Sequence, residues 1–381
     1  MSGRFAGIQV KGIMVAASSP ATESAEKVLK CQKGGAVAAI LKTASKTRLA
    51  DMGGRRCIIR NGQLYAKSTF NREILTIEQG IALIKDCKEI GVTIPIAASV
   101  TELALDPSDW VDDCLRMEAA GADVIQLDFF YIENLLCEPG FERRIVDLLS
   151  QILASVSIPI MPKLNISFPA TYAAKLLKQS GIRYVSLLDS IKTPPPVSIE
   201  YSLVSHDRWV SKVCFESALS GGSLSVFGGF MFPITAKYTE ILTQAGFEVC
   251  AGGGITDMRD AVNLLMLGAS SVQLATEVLL NGYNRFDEIY SGVNEIGRFL
   301  AHGADDYSVE CFYEHGRKTR DVAVAGKFAK ISNKCGKNIC DTECEKQTFC
   351  SHVRFNNGKP SFEGCEGCGL CVALCPDRIS T

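Results

Sequence analysis

No stretch of the 381-residue chain approaches the roughly 18 consecutive apolar residues that a membrane-spanning helix needs. Charge of one sign is also scarce. The 40 Lys and Arg against 42 Asp and Glu leave a formal net charge of −2, which gives no pull toward nucleic acid or an anionic lipid surface. No G-x-G-x-x-G follows an apolar run, so an obvious NAD(P) or FAD domain is excluded. Internal repeats and low-complexity tracts are missing. The first residues, "MSGRFAGIQVKGIMVAASS", lack an apolar core followed by a small-residue cleavage site; they read as a strand rather than a signal peptide, and the expected location is the cytoplasm. The 16 cysteines lack the even spread of a disulfide scaffold, since eight of them crowd into residues 335–375. In a cytosolic chain such crowding points to metal.

Hydrophobic residues make up 47% of the chain, enough for one large core and a small satellite. Over the first 300 residues short β-rich runs alternate with helical stretches such as "IEQGIALIKDCKEIG" and "FERRIVDLLSQILASV". The runs are 12–18, 36–43, 94–100, 123–130, 158–164, 184–190, 248–254 and 271–278. They are almost continuously apolar, as parallel strands covered on both faces must be. Eight strand–helix units predict an α/β fold, a (β/α)8 TIM barrel over 1–303, with a doubly wound sheet as the alternative. The long gap between the sixth and seventh strands predicts a large loop over the barrel top. A charged connecting arm is expected over 304–333 and a cysteine-rich module over 334–381.

That module ends in "CEGCGLCVALCP". Cys365, Cys368 and Cys371 fall within one tight loop and Cys375 precedes a proline. The spacing suits three corners of an iron–sulfur cube, with the fourth cysteine reaching to another cluster. A second, looser quartet stands upstream: Cys335, Cys340, Cys344 and Cys350. Between the quartets, "SHVRFNNGKPSFEG" reads as a hairpin turning at Asn356, Asn357 and Gly358. This is the layout of a two-cluster, bacterial-type ferredoxin. One 4Fe-4S cluster is expected to take Cys335, Cys340, Cys344 and Cys375 and the other Cys365, Cys368, Cys371 and Cys350, with a single-cluster module and some spare thiols as the alternative for the first, irregular quartet. Zinc is the alternative, but structural zinc favours two separated cysteine pairs.

Clusters relay single electrons and do no substrate chemistry alone. The barrel then needs a group that converts between one and two electrons, which a flavin does and a nicotinamide does not. A phosphate grip is legible after the seventh strand, at Gly252, Gly253 and Gly254, and after the eighth, at Ala275, Thr276 and Glu277. Lys42 and Lys163 end strands on the same face, where a lysine would stabilise a reduced anionic ring. A solvated strand-end lysine is the plain alternative for each.

Taken together, "KGIMVAASSPATES…GGAVAAILKTAS", "ASVTELALDPSDWVDDCLRMEAAGADVIQLD", "IPIMPKLN" and "AGGGITDMRDAVNLLMLGASSVQLATEVL" resemble the dihydroorotate dehydrogenase superfamily, in particular the FMN and iron–sulfur half of dihydropyrimidine dehydrogenase. The resemblance implies FMN in the barrel, electron flow between FMN and two 4Fe-4S clusters, and a homodimer. It implies flavin contacts at Ala17, Ser18, Lys42, Thr43 and Lys163, and a phosphate grip at Gly253, Gly254, Ala275 and Thr276.

The chain departs from the family on the substrate side. Where the family's "NLSCPN" begins with a substrate-reading Asn and carries a catalytic Cys or Ser, this chain has "DFFYIEN", with Asp128 and Tyr131. The family's "NT" after the sixth strand is Asp189 and Ser190, and an expected Asn after the third strand is Thr101, beside Glu102. The "GGxSG" loop is reduced to "FGGFMFP", with Gly228 and Gly229. An ionised carboxylate only accepts hydrogen bonds, so two such changes would turn anions toward the carbonyls of a pyrimidine. The expected substrate is therefore small, nitrogen-containing and not uracil, thymine or orotate, with a C=C or C=N bond reduced or oxidised. Tyr131 or Cys137 would move the proton, with Asp128 and Asp189 as further candidates. The implied partner is a ferredoxin or an NAD(P)H-oxidising flavoprotein subunit. A non-catalytic FMN and iron–sulfur electron-transfer subunit is the rival reading. The other cysteines of the barrel (Cys31, Cys57, Cys87, Cys114, Cys214, Cys250) are expected in the core.

Overall fold

The computed structural model describes residues 2–46, 57–60, 63–67, 74–193, 197–205, 208–215, 224–302, 330–331, 354–356, 359–361 and 379–380. The eight expected runs all become strands of one parallel barrel. They are β1 (Met14–Ala16), β2 (Ala38–Ile40), β3 (Ile96–Val100), β4 (Val124–Asp128), β5 (Ile160–Lys163), β6 (Tyr184–Ser186), β7 (Glu248–Gly252) and β8 (Ser271–Leu274). Each pairs in parallel with the next, and β8 pairs with β1 to close the ring. The closed ring, rather than an open doubly wound sheet, follows from that last pairing. With the interior on one face and helices on the other, these strands are buried on both sides, which is why they carry so few polar residues.

Helices cover the outside: α1 (Ala25–Lys33), α2 (Ile77–Glu89), α3 (Pro107–Ala120), α4 (Phe141–Ser155), α5 (Ala170–Ser180), α6 (Phe232–Gln244), α7 (Met258–Met266) and α8 (Arg285–His302). Local signals set their ends. Thr76 and Gln79 form a capping box on α2, and Asp257 and Asp260 do so on α7. Asp106 caps α3, Pro107 opens it, and Gly121 ends it at φ 100°, a left-handed turn that suits glycine. The apolar stripe of α4, Phe141, Ile145, Leu148, Leu149 and Ile152, is buried on the barrel side. Burying five such side chains is worth on the order of 10 kcal/mol before chain entropy is charged.

The first residues form more than the single strand expected. Gly3–Phe5 and Ile8–Val10 pair as an antiparallel hairpin. Phe5, Ala6 and Val10 pack into one core cluster with Val15, Ala38, Ile40, Ala97, Val124, Met161 and Cys250 of the barrel strands. Arg4 N donates to Ser270 O, just before β8, and Gly7 N donates to Glu248 at the start of β7. The hairpin therefore plugs the N-terminal end of the barrel and leaves the C-terminal end for chemistry. Cys31, Cys87, Cys114 and Cys250 are buried, as expected.

The chain divides into two compact units. The first, Met1–Leu49, Ile74–Asp189 and Gly228–Lys318, holds the barrel. The second comprises Ala50–Glu73, Ser190–Phe227 and Thr319–Thr381. It takes up the long segment between β6 and β7, which holds strands rather than plain loop. Ile191–Thr193, Leu224–Gly228, Gln63–Lys67 and Cys57–Arg60 line up as a four-stranded sheet, and Val197–Ser205 pairs with Arg208–Phe215. The hairpin expected between the two cysteine quartets is present, Arg354–Asn356 against Lys359–Ser361, antiparallel. The eight cysteines of 335–375 lie outside the described residues, as does most of the expected arm.

Candidate active site

Parallel strands deliver their C-terminal residues to one mouth, so positions far apart in sequence meet there. Asp128, the last residue of β4, stands opposite Lys163, the last of β5, in the strand register. Lys42 and Thr43 follow β2; Thr101 and Glu102 follow β3; Asp189 follows β6. Lys42, Thr43, Thr101, Glu102, Asp128 and Lys163 are all buried.

Thr43 is the hub of a hydroxyl network. Its Oγ1 donates to Asp128 Oδ2 at 2.9 Å, and it lies 3.0 Å from Ser99 Oγ and 3.2 Å from Ser18 Oγ. A hydroxyl has one proton, and with that proton on Asp128 the two serines donate to Thr43. Ser99 in turn accepts from Gln126 Nε2 at 2.9 Å. Asp128 Oδ1 accepts from Phe130 N at 3.1 Å, and Thr101 Oγ1 donates to the main-chain carbonyl of Asp128 at 2.9 Å. Asp189 Oδ2 lies 2.7 Å from Lys163 Nζ, an ion pair with side chains 13% and 10% exposed.

Burial pushes the Asp128 carboxyl above its ordinary range; Lys163 opposes the shift, Asp189 adds to it, and the Phe130 N–H and Thr43 hydroxyl oppose it. Lys163 goes the other way for a buried lysine. Burial works against its charge, but Asp189 and Asp128 outweigh it and hold the ammonium above its ordinary pKa. Lys42 is pushed down to about 8, chiefly by burial, with Glu23 opposing, Lys163 assisting, and Asp128 and Asp189 opposing.

Two glycine turns meet on the same rim. Gly253 and Gly254 follow β7 at φ 102° and 90°. A Cβ on Gly254 would lie 2.3 Å from Phe232 N, and one on Gly229 would lie 2.9 Å from Thr256 Cγ2. Only glycine meets both the φ and the close approach at 254. Gly228, at φ 144°, precedes a short turn that leads into α6. Ala275 precedes the helix Thr276–Asn281 and offers it no side-chain cap. Ala17 N donates to Leu274 O, which ties the first strand's end to this corner.

The remaining expected residues are placed as follows. Tyr131 is half-buried in the 3-10 segment Phe129–Cys137 and packs edge-on to Phe130, with centroids 5.3 Å apart. Cys137 is exposed at the end of that segment. Ser190 opens the second unit. Glu102 accepts from Ser45 Oγ at 3.1 Å and from Lys46 N at 2.8 Å.

Three residues escaped the sequence reading. Asn165 is buried just past β5; it donates to Phe129 O at 3.3 Å and accepts from Ser167 N at 2.8 Å. Ser99 and Gln126 form the buried floor of the Thr43 network. Their signal is a polar residue inside an apolar strand run, which marks a position facing the barrel interior.

No family model matches the chain. Among curated proteins it is 24% identical over 307 residues to the catalytic subunit of dihydroorotate dehydrogenase B (NAD(+)) of Thermoplasma acidophilum, covering 77% of this chain and 92% of that protein. The Thermoplasma volcanium counterpart is 23% identical over 295 residues, 76% of this chain and 90% of that protein. The NAD-dependent dihydropyrimidine dehydrogenase subunit PreA of Escherichia coli is 21% identical over 311 residues, 79% of this chain and 66% of that protein. A parallel barrel with a charged, glycine-rimmed C-terminal mouth is thus matched by relatives that are dehydrogenases. The chain is a homologue, at low identity over most of its length, of enzymes of the dihydroorotate dehydrogenase superfamily.

Proposed function

We propose that the chain is an FMN-dependent iron–sulfur oxidoreductase. It reduces or oxidises a C=C or C=N bond of a small, nitrogen-containing substrate that is not a pyrimidine. Two 4Fe-4S clusters held by the C-terminal cysteines carry the electrons. The observation that carries this reading is the closed barrel mouth, where Lys42, Lys163, Asp128 and Asp189 meet beside two glycine turns.

The residues present fit FMN. Lys42 supplies a buried cation for its electron-rich edge, and Lys163, paired with Asp189, an N–H donor beside it. Gly228, Gly229, Gly253, Gly254 and the uncapped start of Thr276–Asn281 supply close-approach backbone for its phosphate. Ala17 and Ser18 line the corner between β1 and β8. When bound, FMN supplies hydride transfer and the exchange between electron pairs and single electrons. The chain's own residues hold the substrate and move a proton. Tyr131 or Cys137 serves as the acid, and the string Ser18–Thr43–Asp128 connects a buried carboxyl to the rim. Two of the roughly four acceptor positions of Asp128 are filled by Thr43 and Phe130, which leaves the rest for a ligand N–H. Thr101 and Glu102 complete the substrate side.

Electrons pass to a ferredoxin or to a separate NAD(P)H-oxidising flavoprotein subunit, and the chain works as a homodimer in the cytoplasm. The names of its relatives, NAD-dependent enzymes with a catalytic or PreA subunit, support a nicotinamide-binding partner. Among the described residues no helix is long and apolar enough to cross a membrane.

Anaerobically purified protein should be coloured, with one flavin and about eight irons per chain. A nitrogen-containing ligand should change the flavin spectrum, and Asp128→Ala or Tyr131→Phe should abolish that change. Colourless protein free of flavin and iron refutes the proposal. One observation favours a second reading, a non-catalytic electron-transfer subunit: Asp189 is engaged by Lys163 and Asp128 by Thr43 and Phe130. A flavin spectrum unmoved by a broad ligand screen would select it.

A further inference from the structure

We propose that Asp189 sets the reduction potential of the flavin by masking the charge of Lys163, an inference that rests on the FMN reading above. Lys163 ends β5 and Asp189 lies just past β6, the next strand round the barrel. The ion pair is 2.7 Å long, and both side chains are close to nine-tenths buried. Asp128, opposite Lys163 in register, adds a second negative charge on the same ammonium. Charges in such a place act more strongly than in bulk water. A bare ammonium there would favour the negative charge that a flavin ring gains on reduction. An ammonium with a carboxylate 2.7 Å away acts instead as a dipole, whose field falls off faster than that of a single charge. The ring therefore meets little net positive charge from Lys163. Its two-electron potential sits lower than the lysine alone would place it, which favours release of electrons toward iron–sulfur clusters. Asp189 acts through Lys163 and tunes the cofactor, a role different from the substrate contact its sequence position implied.

The test is a double-mutant cycle on the flavin-loaded full chain: D189N, K163Q and the two combined. The readouts are the midpoint potential by spectroelectrochemistry and the Kd of sulfite. Sulfite adds reversibly to flavin N5; its sulfur lone pair forms the S–N bond and the ring takes up the displaced electron pair as an anion. D189N should raise the potential by at least about 30 mV, which corresponds to a tenfold change in a two-electron equilibrium. It should tighten sulfite by about tenfold. K163Q alone strips the buried Asp189 carboxylate of its cation and should weaken sulfite by about tenfold, and K163Q in the D189N background should erase the gain. Flavin-loaded D189N with unchanged potential and sulfite affinity overturns the inference. So does a double variant that keeps the D189N sulfite affinity, which would show that the gain does not pass through Lys163; D189S takes the place of D189N where the latter does not fold. Wild-type protein that carries no flavin overturns the FMN reading and this inference with it, and is distinct from both results.

Discussion

Asp113 offers the sharpest check on the electrostatics of this barrel. It sits on α3 in the stripe Trp110, Asp113, Cys114 and Met117, all buried, and its own exposure is 0%. Burial, then the neighbouring Glu102 carboxyl, push its pKa from 3.8 to about 7. Asp112 adds to the push and Arg116 opposes it. The folded protein therefore keeps a proton on Asp113 that the unfolded chain has already released. Stability from this group is greatest below about pH 4 and is lost as pH rises toward 7, the reverse of a salt-bridged carboxylate. At 1.36 kcal/mol per pH unit, the loss between pH 5 and 8 is about 3 kcal/mol. Asp113→Asn keeps the shape and fixes the group in a neutral form. Urea unfolding of both proteins, followed by fluorescence of Trp110 and Trp209, should show the variant gaining on wild type by about that amount across this range. A stability difference between the two that stays flat within about 0.5 kcal/mol would mean that Asp113 holds no such proton, and the reasoning from burial and Glu102 would fall.

Thr43→Val should cost about 1–3 kcal/mol, because it leaves Asp128 Oδ2 and the Ser18 and Ser99 hydroxyls without their shared partner. Denaturant midpoints check it, and a shift under about 0.3 kcal/mol would count against the network. Gly254→Ala forces a side chain to φ 90° and to within 2.3 Å of Phe232 N. It should cost at least about 1–3 kcal/mol and reduce FMN retained through gel filtration, while Gly246→Ala, at φ 89° with open space around it, should cost only the backbone strain. Phe5→Ala should cost about 3–5 kcal/mol through loss of the barrel plug, with amide exchange rising in β1 and β2 before the outer helices.

Much of the fold is legible along the chain because its signals are local. An apolar run of four to eight residues bounded by turn residues reads as a buried strand wherever it occurs. All eight barrel strands were of this kind. The capping residues Thr76, Asp106 and Asp257 also act locally, bonding to N–H groups within their own first turn, although the sequence analysis did not single them out. The hairpin at 354–361 was visible from its Asn and Gly content for the same reason. The N-terminal hairpin was not foreseen, because "AG" at residues 6–7 is a weak turn signal and what holds it is the barrel floor rather than its own propensity.

The site divides along the same line. By itself the sequence determined which side chains arrive at the mouth: order along the chain, strand by strand, assigns Lys42, Asp128, Lys163 and Asp189 to strand ends, and glycine at 253 and 254 to a sharp turn. Tertiary structure alone decided who meets whom. Thr43 and Asp128 are 85 residues apart, and their 2.9 Å bond exists because β2, β3 and β4 close side by side in one register. The pairing of Lys163 with Asp189, and the burial that lifts Asp113 toward Glu102, have the same origin. Hydrophobic periodicity is a property of neighbours in sequence, whereas the energy of a buried charge depends on distance and on lost water, which only the closed barrel supplies.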